Sequence, residues 1–471
     1  MMRVVSVLLC LLFVVSGCSL APQKRPDQLA FPALEFDFPT VERYQLDNGL
    51  QLAVLPDHEL PLVEISVLVS GGRLYDPADK AGLSTLLAMT LESGGAGDKT
   101  PRQFEETLER LAADFGVEGD TYVTRLRLSV RQEDLQQGLK LLADVLLRPR
   151  FDGDRFELAR RQMVEGIRRQ DDHPSSIAGR ILAGSVYGDH PFGRSATRAS
   201  VEKISRADLV AYHHRFFHPD QVWMAVSGDV ETAQLLALLE DVLAPWDSVS
   251  SAGYPLPATP QGADTQILLI DKDLPQTTIL MGHPGIDKDN PDLFALKVAN
   301  YILGGGGFNA RLMREIRSNR GLAYSVYSHF QVGRRLPELF IVSSETKTES
   351  TAEVVNIIRQ QIDRLGSERV SEADLTLTKQ SLINSFVFAF DKPHAVASRQ
   401  MRLEFYNYPP DYLESYRDHV AAVDAEDVLR AAQRYLRPDL LQIVLVGRAD
   451  EIGLQFVDST VPVGRVEPPT P

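Results

Sequence analysis

The sequence repeats itself at an offset of 219 residues, and this repeat constrains the fold more than any other feature. In each copy, a residue that favours helix N-caps has an acidic residue three positions on, and the helix it starts must end before a proline. A short apolar run ending in glycine follows and predicts a strand. The matched positions are Ser205 and Asp424, Pro219 and Pro438, and Gly228 and Gly447. The repeat therefore predicts two similar domains of roughly 200 residues each.

Each copy opens with two short runs that favour strands, at residues 49–55 and 62–69 in the first copy and at 266–270 and 277–281 in the second. We predict that the two runs of each half pair with one another. Helices follow, and one has a well-formed start with Thr100 as its cap, Pro101 in its first turn and Gln103 at its third position. Strands followed by helices predict an α+β fold of two homologous domains, each a mainly antiparallel sheet covered by helices.

The first eighteen residues have the pattern of a bacterial export signal. An apolar run at residues 4–15 is shorter than the roughly 20 residues that a transmembrane helix needs. It ends in Val-Ser-Gly-Cys, which resembles the site at which bacterial lipoproteins are cleaved and lipidated, here on Cys18. We predict a signal peptide at residues 1–17 and a lipidated tether at 18–42. The alternative is an ordinary secretory signal with an incidental cysteine.

The residue after this cysteine is Ser19 and not aspartate, which favours the outer membrane by resemblance to Gram-negative lipoproteins. No other segment has 18 consecutive apolar residues, so lipid alone is expected to hold the protein at the membrane. We therefore expect a lipid-anchored bacterial protein that faces the periplasm.

Composition excludes several other functions. Both cysteines, Cys10 and Cys18, lie near the amino terminus, so the body of the protein has no disulfide, cysteine metal ligand or thiol nucleophile. Lys and Arg number 49 against 64 Asp and Glu, and this net charge of −15 argues against nucleic acid as a partner. The sequence contains no Gly-x-Ser-x-Gly motif, phosphate loop or dinucleotide fingerprint, so serine hydrolases and nucleotide-dependent enzymes have no support.

A stretch rich in Ser, Gly, Pro and Ala divides the rest of the chain. We place the amino-terminal domain at residues 43–245, a linker at 246–264 and the carboxy-terminal domain at 265–457. The last residues, 458–471, end in Glu-Pro-Pro-Thr-Pro and are predicted to be a disordered tail.

Several motifs point to one family. They are Leu-Asp-Asn-Gly at 46–49, Lys-Ala-Gly-Leu at 80–83, the Pro-Asp elements of the repeat, and a stretch at 304–325 that contains Gly-Gly-Gly-Gly-Phe and Arg-Gly-Leu-Ala-Tyr-Ser. With these motifs the chain resembles the M16 zinc peptidases, the insulinase-like family that includes mitochondrial processing peptidase. The resemblance covers nearly all of residues 44–455. It implies two domains that form half of a clam-like chamber enclosing peptide substrates.

Catalysis in that family depends on a helical His-x-x-Glu-His sequence, in which two histidines one turn apart bind zinc and the glutamate activates water. A more distant glutamate completes the ligand set. This chain has Thr85, Ala88 and Met89 at the motif positions and Gly166 at the distant one. None can replace a zinc ligand, so the resemblance implies a degenerate site and no metal in this chain. We interpret this helix face as packing.

The substrate-binding arginine and tyrosine of the family are retained as Arg317 and Tyr324. In the family, the arginine orients the peptide, and the tyrosine donates a hydrogen bond to the carbonyl oxygen as negative charge develops there. The alternative is a buried tyrosine and a solvated helix arginine with no role in binding. A loop expected to line the substrate chamber consists of Gly304, Gly305, Gly306 and Gly307.

Two-subunit members of this family combine one chain that carries the zinc motif with a partner that has lost it. The resemblance therefore implies a non-catalytic, lipid-anchored subunit that completes the chamber of a catalytic M16 chain with an intact His-x-x-Glu-His motif. The partner would hold the zinc, this chain would supply Arg317 and Tyr324 in trans, and the pair would cleave peptides or unfolded proteins in the periplasm. The alternative is a non-enzymatic scaffold or peptide-binding protein. We expect this chain to be inactive alone.

A cluster of three histidines is the remaining candidate for a metal site. His213, His214 and His218 lie near the end of the helix that precedes Pro219, and no carboxylate joins them at helical spacing. We interpret them as cationic side chains at the carboxy-terminal end of a surface helix.

Overall fold

Each repeat folds into a six-stranded sheet with helices packed against it, which confirms the predicted α+β class. The computed structural model describes residues 38–247, 253–453 and 461–467. The predicted signal peptide, Cys18 and most of the tether lie outside the described residues. Within the described ranges, every helix is too short or too polar to span a bilayer.

The amino-terminal sheet is mainly antiparallel. Its strands are β1 (Glu42–Gln45), β2 (Gln51–Pro56), β3 (Leu62–Ser70), β4 (Asp114–Gly119), β5 (Val123–Arg131) and β6 (Val222–Gly228). Their order across the sheet is β1-β2-β6-β3-β5-β4. Only β2 and β6 run parallel among these neighbours.

The carboxy-terminal sheet has the same arrangement with one substitution at its edge. Its strands are β7 (Gln266–Asp271), β8 (Gln276–Pro284), β9 (Ala323–Phe330), β10 (Leu339–Lys347), β11 (Gln442–Gly447) and β12 (Val463–Arg465). Their order is β12-β7-β11-β8-β10-β9. β7 runs parallel to both β11 and β12, whereas the other neighbours are antiparallel.

The helices follow the repeat as well. The described amino-terminal half contains α1 (Leu83–Ser93), α2 (Pro101–Arg110), α3 (Leu135–Leu147), α4 (Gly153–Gln170), α5 (Pro174–Tyr187), α6 (Arg198–Glu202), α7 (Arg206–Phe216) and α8 (Thr232–Leu243). The carboxy-terminal half contains α9 (Leu293–Asn300), α10 (Thr351–Ser367), α11 (Glu372–Phe386), α12 (Pro393–Phe405), α13 (Tyr412–Ala422) and α14 (Ala425–Tyr435). The predicted caps Thr100, Ser205 and Asp424 are confirmed, and each forms a reciprocal capping box.

The predicted pairing of the first two strands in each half is wrong. β6 lies between β2 and β3, so that Trp223 is opposite Gln51 on one side and Leu68 on the other. β11 lies between β7 and β8 in the same way. Every residue of β11 is buried, which is the pattern of a strand covered on both faces and flanked on both sides. β6 and β11, the strands that follow the two Pro-Asp elements, therefore lie in the interior of their sheets, between the first two strands of each half.

The two halves also exchange one helix each, which the sequence did not predict. α5 packs on β8 and β11 of the carboxy-terminal sheet, and its repeat partner α12 packs on β2 and β6 of the amino-terminal sheet. Leu182 of α5 is fully buried, and a Cβ placed on Gly282 would lie only 3.1 Å from it. Phe405 of α12 contacts Trp223 edge to face, with ring centres 5.0 Å apart. The described residues from Pro39 onward form one compact unit.

The structure corrects the predicted linker and tail at their ends. Trp246, taken as the first residue of the linker, is buried in the amino-terminal core, and its Nε1 donates to the Phe217 carbonyl oxygen at 3.3 Å. Burial of this large side chain outweighs the loop-like composition that follows it. Residues 463–465 of the predicted disordered tail form β12, which covers the open edge of β7.

Candidate functional site

Arg317 and Tyr324 are in direct contact. Arg317 Nη1 donates to the backbone oxygen of Tyr324 at 2.8 Å, and its guanidinium carbon lies 4.4 Å from the centre of the Tyr324 ring. The same guanidinium lies 4.8 Å from the ring of Phe308, so it contacts two aromatic side chains. Each such contact contributes about 0.5–1 kcal/mol at an exposed site. We call these three residues the Arg–Tyr–Phe cluster.

The aromatic members of this cluster are unusually exposed. Tyr324 is 81% exposed and Phe308 is 67% exposed. The Tyr324 hydroxyl makes no hydrogen bond to any described residue. The alternative of a buried tyrosine is therefore wrong, and the phenol is free to donate to a ligand from outside the chain.

A β-bulge turns Tyr324 outward. Residues 323–326 of β9 lie opposite residues 344–346 of β10, so β9 contains one extra residue. In regular alternation, Tyr324 would share a face with Val326 and Phe330, which are buried. The extra residue shifts this alternation and re-aims the side chain, as bulges do elsewhere at functional sites.

The glycine run is required by close packing at most of its positions. A Cβ on Gly304 would lie 2.4 Å from the backbone nitrogen of Ser328, and one on Gly306 would lie 2.7 Å from the Tyr301 carbonyl oxygen. Gly307 has open space around it but a φ of 59°, which is the left-handed region that favours glycine. The run begins in a π-helical segment, Tyr301–Gly305, and a second π-helical segment, Met313–Ser318, follows it and carries Arg317.

Three of these glycines, Gly304, Gly305 and Gly307, line a cavity of about 750 Å³ together with Lys297. The Lys297 Nζ donates to the Tyr412 hydroxyl at 3.2 Å and forms no ion pair with a described residue. Burial lowers the pKa of the Lys297 ammonium to about 8. Sequence reasoning missed this lysine; the signal available was a single charge within the otherwise apolar helix α9.

Three of the four degenerate zinc positions, Thr85, Met89 and Gly166, line a second cavity, of about 500 Å³, in the amino-terminal half; we call it the α1 cavity. Thr85 and Met89 of α1 share a helix face, as residues four apart do, and Gly166 of α4 lies across from them. Thr85 is exposed, so the interpretation of this face as packing is wrong for Thr85. The interpretation is right for Met89, which is half-buried and packs against the core while it also lines the cavity. It is also right for Ala88, which is 2% exposed in the core.

Asp76 lies in the wall of the α1 cavity and caps the helix. Its carboxylate accepts hydrogen bonds from the backbone nitrogens of Gly82 at 2.9 Å and Ser84 at 3.0 Å. Burial raises the pKa of Asp76 to about 6, against the opposing effect of these hydrogen bonds. This carboxylate is thus engaged with the positive end of α1.

The residues of the α1 cavity do not fit zinc. No imidazole or thiolate lines it, and its one carboxylate, Asp76, is held by the helix. Across the described ranges, no group of three or more His, Cys, Asp or Glu side chains is arranged to hold a metal ion.

One member of the histidine cluster, His213, differs from its interpretation as a surface cation, whereas His214 is exposed as expected. His213 is buried, and its Nε2 lies 2.9 Å from the Leu146 carbonyl oxygen. Burial lowers the pKa of His213 to about 4, so this imidazole is neutral at physiological pH.

Comparison with known proteins places these features in a family. A family model described as insulinase (peptidase family M16) matches residues 52–200, and one described as the peptidase M16 inactive domain matches residues 203–382. An uncharacterized zinc protease of Mycobacterium leprae is 28% identical over 374 residues, covering 78% of this chain and 82% of its own length. A non-peptidase homolog of Helicobacter pylori is 26% identical over 340 residues, covering 70% and 76%.

The fold has solved counterparts too. The crystal structure of a peptidase M16 inactive domain from Pseudomonas fluorescens superimposes with a TM-score of 0.79 at 26% identity, covering 86% of this chain and 98% of the other. A protease from Helicobacter pylori gives a TM-score of 0.77 at 19% identity, covering 87% and 99%, and shows the fold alone. Two family models, relatives matched over most of their length and a similar solved structure agree with the motifs: the chain belongs to the M16, or insulinase, peptidase family.

Proposed function

We propose that this chain is the non-catalytic subunit of a two-chain M16 peptidase and supplies Arg317 and Tyr324 to a zinc site on its partner. The observation that carries the proposal is the Arg–Tyr–Phe cluster, in which a stacked guanidinium orients a phenol that is 81% exposed. A phenol held in this way can donate to a carbonyl oxygen as it becomes negatively charged.

The cluster is also suited to an interface. Exposed aromatic side chains beside an arginine are the residues most enriched among those that dominate protein–protein binding. Large apolar groups such as Phe308 are costly to leave in water, and a partner that closes over them would remove that cost. Partner and substrate would then share one surface of this chain.

The α1 cavity supports the non-catalytic part of the proposal. It offers no imidazole and no free carboxylate, so this chain lacks the groups that would bind zinc and activate water. The Helicobacter pylori relative is named a non-peptidase homolog, while the Mycobacterium leprae relative is named a zinc protease. We assign this chain to the first kind and place the zinc on a partner with an intact His-x-x-Glu-His motif.

The test is reconstitution with a zinc-bearing M16 chain and a quenched fluorescent peptide. Tyr324→Phe removes only the donor, and we expect kcat to fall about 100-fold, as when one oxyanion donor is lost. Tyr327→Phe is the matched control, because Tyr327 is an exposed tyrosine on the same strand. Arg317→Gln should also reduce cleavage, whereas Arg320→Gln, whose side chain pairs with Glu315, should not.

Two outcomes would contradict the proposal. If Tyr324→Phe and Arg317→Gln both match the wild type in a pair that assembles normally, a scaffold or peptide-binding role replaces it. If the purified chain binds zinc stoichiometrically and cleaves peptides in a chelator-sensitive manner, the chain is itself the catalyst.

We further propose that Cys18 is lipidated and holds the subunit at the periplasmic face of a membrane, most simply the outer membrane. Cys18→Ser should move the protein from the membrane fraction to the soluble periplasmic fraction. Retention of the variant in the membrane fraction would contradict lipid anchoring.

A further inference from the structure

The α1 cavity is cationic in a protein that is otherwise acidic. Arg73, Arg180 and Arg194 all line it, and Asp76 is the one acidic residue among its lining side chains. The whole chain has a net charge of −15, so three arginines around one cavity are not a reflection of composition. A site degraded from metal binding has no need of such a charge.

Two of these arginines, Arg73 and Arg194, form no ion pair with a described residue, although the carboxylates of Asp76 and Glu338 lie near enough to interact with the charge of Arg73. Arg194 makes no side-chain hydrogen bond or ion pair with a described residue. Arg73 donates from Nε to the hydroxyl of Thr121 at 3.1 Å and forms no ion pair with a described residue. Both guanidinium groups therefore keep most of their donors for a ligand.

Arg180 is the buried member of the three. Its side chain is 11% exposed and pairs with Asp171 through Nη2, yet its Nε is buried without a hydrogen-bond partner. A buried donor left without an acceptor costs about 1–3 kcal/mol, which an oxygen ligand entering the cavity would recover. Asp76 does not act as this acceptor, because its carboxylate oxygens accept hydrogen bonds from backbone nitrogens at the amino-terminal end of α1.

The remaining walls suit a peptide. Thr85, Gln170 and Ser195 offer hydrogen-bonding groups, while Met89 and Met163 offer apolar surface. A volume of about 500 Å³ lies within the range of pockets that enclose small ligands. Guanidinium groups bind carboxylates in a two-pronged geometry that lysine does not provide.

From these contacts we infer that the α1 cavity binds a carboxylate group of a peptide, held by Arg73 and Arg194 with Arg180 behind them. The inference rests on the proposed function only in taking a peptide as the ligand. The carboxylate has two sources, the carboxy terminus of the peptide or an acidic side chain. The cavity at the position where active relatives would hold zinc thus binds the peptide substrate of the proposed two-chain peptidase.

The experiment measures fluorescence polarisation of labelled peptides with the full purified chain, without a partner. The probes are a decapeptide ending in Glu-Glu, its carboxy-terminal amide, its Gln-Gln version, and a Lys-Lys version. We expect the Glu-Glu peptide to bind best, and Arg73→Gln and Arg194→Gln each to weaken it about 10-fold, as for one charge-assisted hydrogen bond. The control is Arg198→Gln, because Arg198 is 65% exposed on α6 and already paired with Glu202.

Loss of binding on amidation identifies the terminal carboxylate as the ligand, and loss in the Gln-Gln peptide identifies the side chains. Three results would overturn the inference: preference for the Lys-Lys peptide, equal binding of the Glu-Glu peptide by the wild type and by a variant that combines Arg73→Gln with Arg194→Gln, or no binding by any probe. Thermal midpoints of the variants, expected to match the wild type, separate lost binding from lost folding. Since no cleavage is measured, this result is independent of the Tyr324→Phe test, and either can fail alone.

Discussion

The two halves of this protein have the same skeleton and different functional surfaces. Both contain a capped helix that ends before a Pro-Asp turn, a strand after this turn that lies in the interior of the sheet, and one helix that packs on the sheet of the other half. The amino-terminal half encloses the α1 cavity with its arginines, whereas the carboxy-terminal half presents the exposed Arg–Tyr–Phe cluster. The residues that recur at equal spacing in the two halves are helix caps, prolines and glycines, which determine backbone conformation. The repeat therefore preserves the fold and not the functional side chains.

The equivalent glycines Gly228 and Gly447 give the largest expected difference between the halves. Gly228 has a φ of 115°, and a Cβ there would lie 2.0 Å from the Leu62 carbonyl oxygen. At Gly447, φ lies outside the left-handed region and the nearest atom is the Thr277 hydroxyl at 2.8 Å. We expect Gly228→Ala to cost about 3 kcal/mol or more, through strain and backbone contact, and Gly447→Ala about 1 kcal/mol. Urea unfolding of both variants measures this, and equal losses would contradict it.

A buried histidine in each half gives the next largest expected effect, a dependence of the free energy of unfolding on pH. Burial lowers the pKa of both His213 and His283 from 6.5 to about 4. The unfolded chain therefore binds protons between pH 6.5 and 4 that the folded chain does not, so stability is full above pH 6.5 and falls as the pH is lowered. Each histidine contributes about 3 kcal/mol to this loss.

His283 has a clear structural reason for staying neutral. Its Nδ1 lies 2.7 Å from the Pro284 carbonyl oxygen, while its Nε2 accepts from the Arg437 backbone nitrogen at 3.2 Å, leaving no acceptor for a second proton. We expect His283→Gln and His213→Gln each to flatten the decline in unfolding free energy between pH 6.5 and 4. An unchanged slope in either variant would show that its imidazole does not carry the effect.

The capping residues predict similar losses in the two halves. Ser205 accepts from the Asp208 backbone nitrogen at 3.3 Å, and Asp424 accepts from those of Glu426 at 2.9 Å and Asp427 at 2.8 Å. We expect Ser205→Ala and Asp424→Ala each to cost about 1 kcal/mol, with the larger loss at Asp424 because it satisfies two donors. Thermal unfolding is the measurement. A larger loss for Ser205→Ala would mean that hydrogen-bond number does not decide the cap strength.

The smallest effect is expected where the halves meet at the surface. Arg43 of β1 pairs with Glu404 of α12, and the two side chains are 54% and 33% exposed. Solvent screening limits such pairs, so Arg43→Gln should change the unfolding free energy by no more than about 0.5 kcal/mol. A loss of several kcal/mol would assign the cohesion of the halves to this pair and not to the exchanged helices.

Many features of the fold and of the candidate site depend on local sequence and could be predicted from it. Helix caps, Pro-Asp turns and apolar periodicity depend on residues a few positions apart, so Thr100, Ser205 and Asp424 were identified correctly. The residues Thr85, Ala88, Met89 and Gly166 likewise identify, from the sequence alone, four family positions at which the zinc-site residues are missing. The exposure of Tyr324 was not readable, because it depends on one extra residue in the register with β10.

The sequence by itself determined the repeat, the α+β class, the family and the absence of zinc ligands at the family positions. Only the tertiary structure decided which strands are neighbours, that α5 and α12 are exchanged, and that three arginines from separate segments face one cavity. The physical reason is the distance along the chain over which each kind of interaction acts. Backbone preferences act within a turn or a strand. The central position of β6 and β11, and the meeting of Arg73 with Arg180 and Arg194, depend instead on contacts between residues over 100 positions apart.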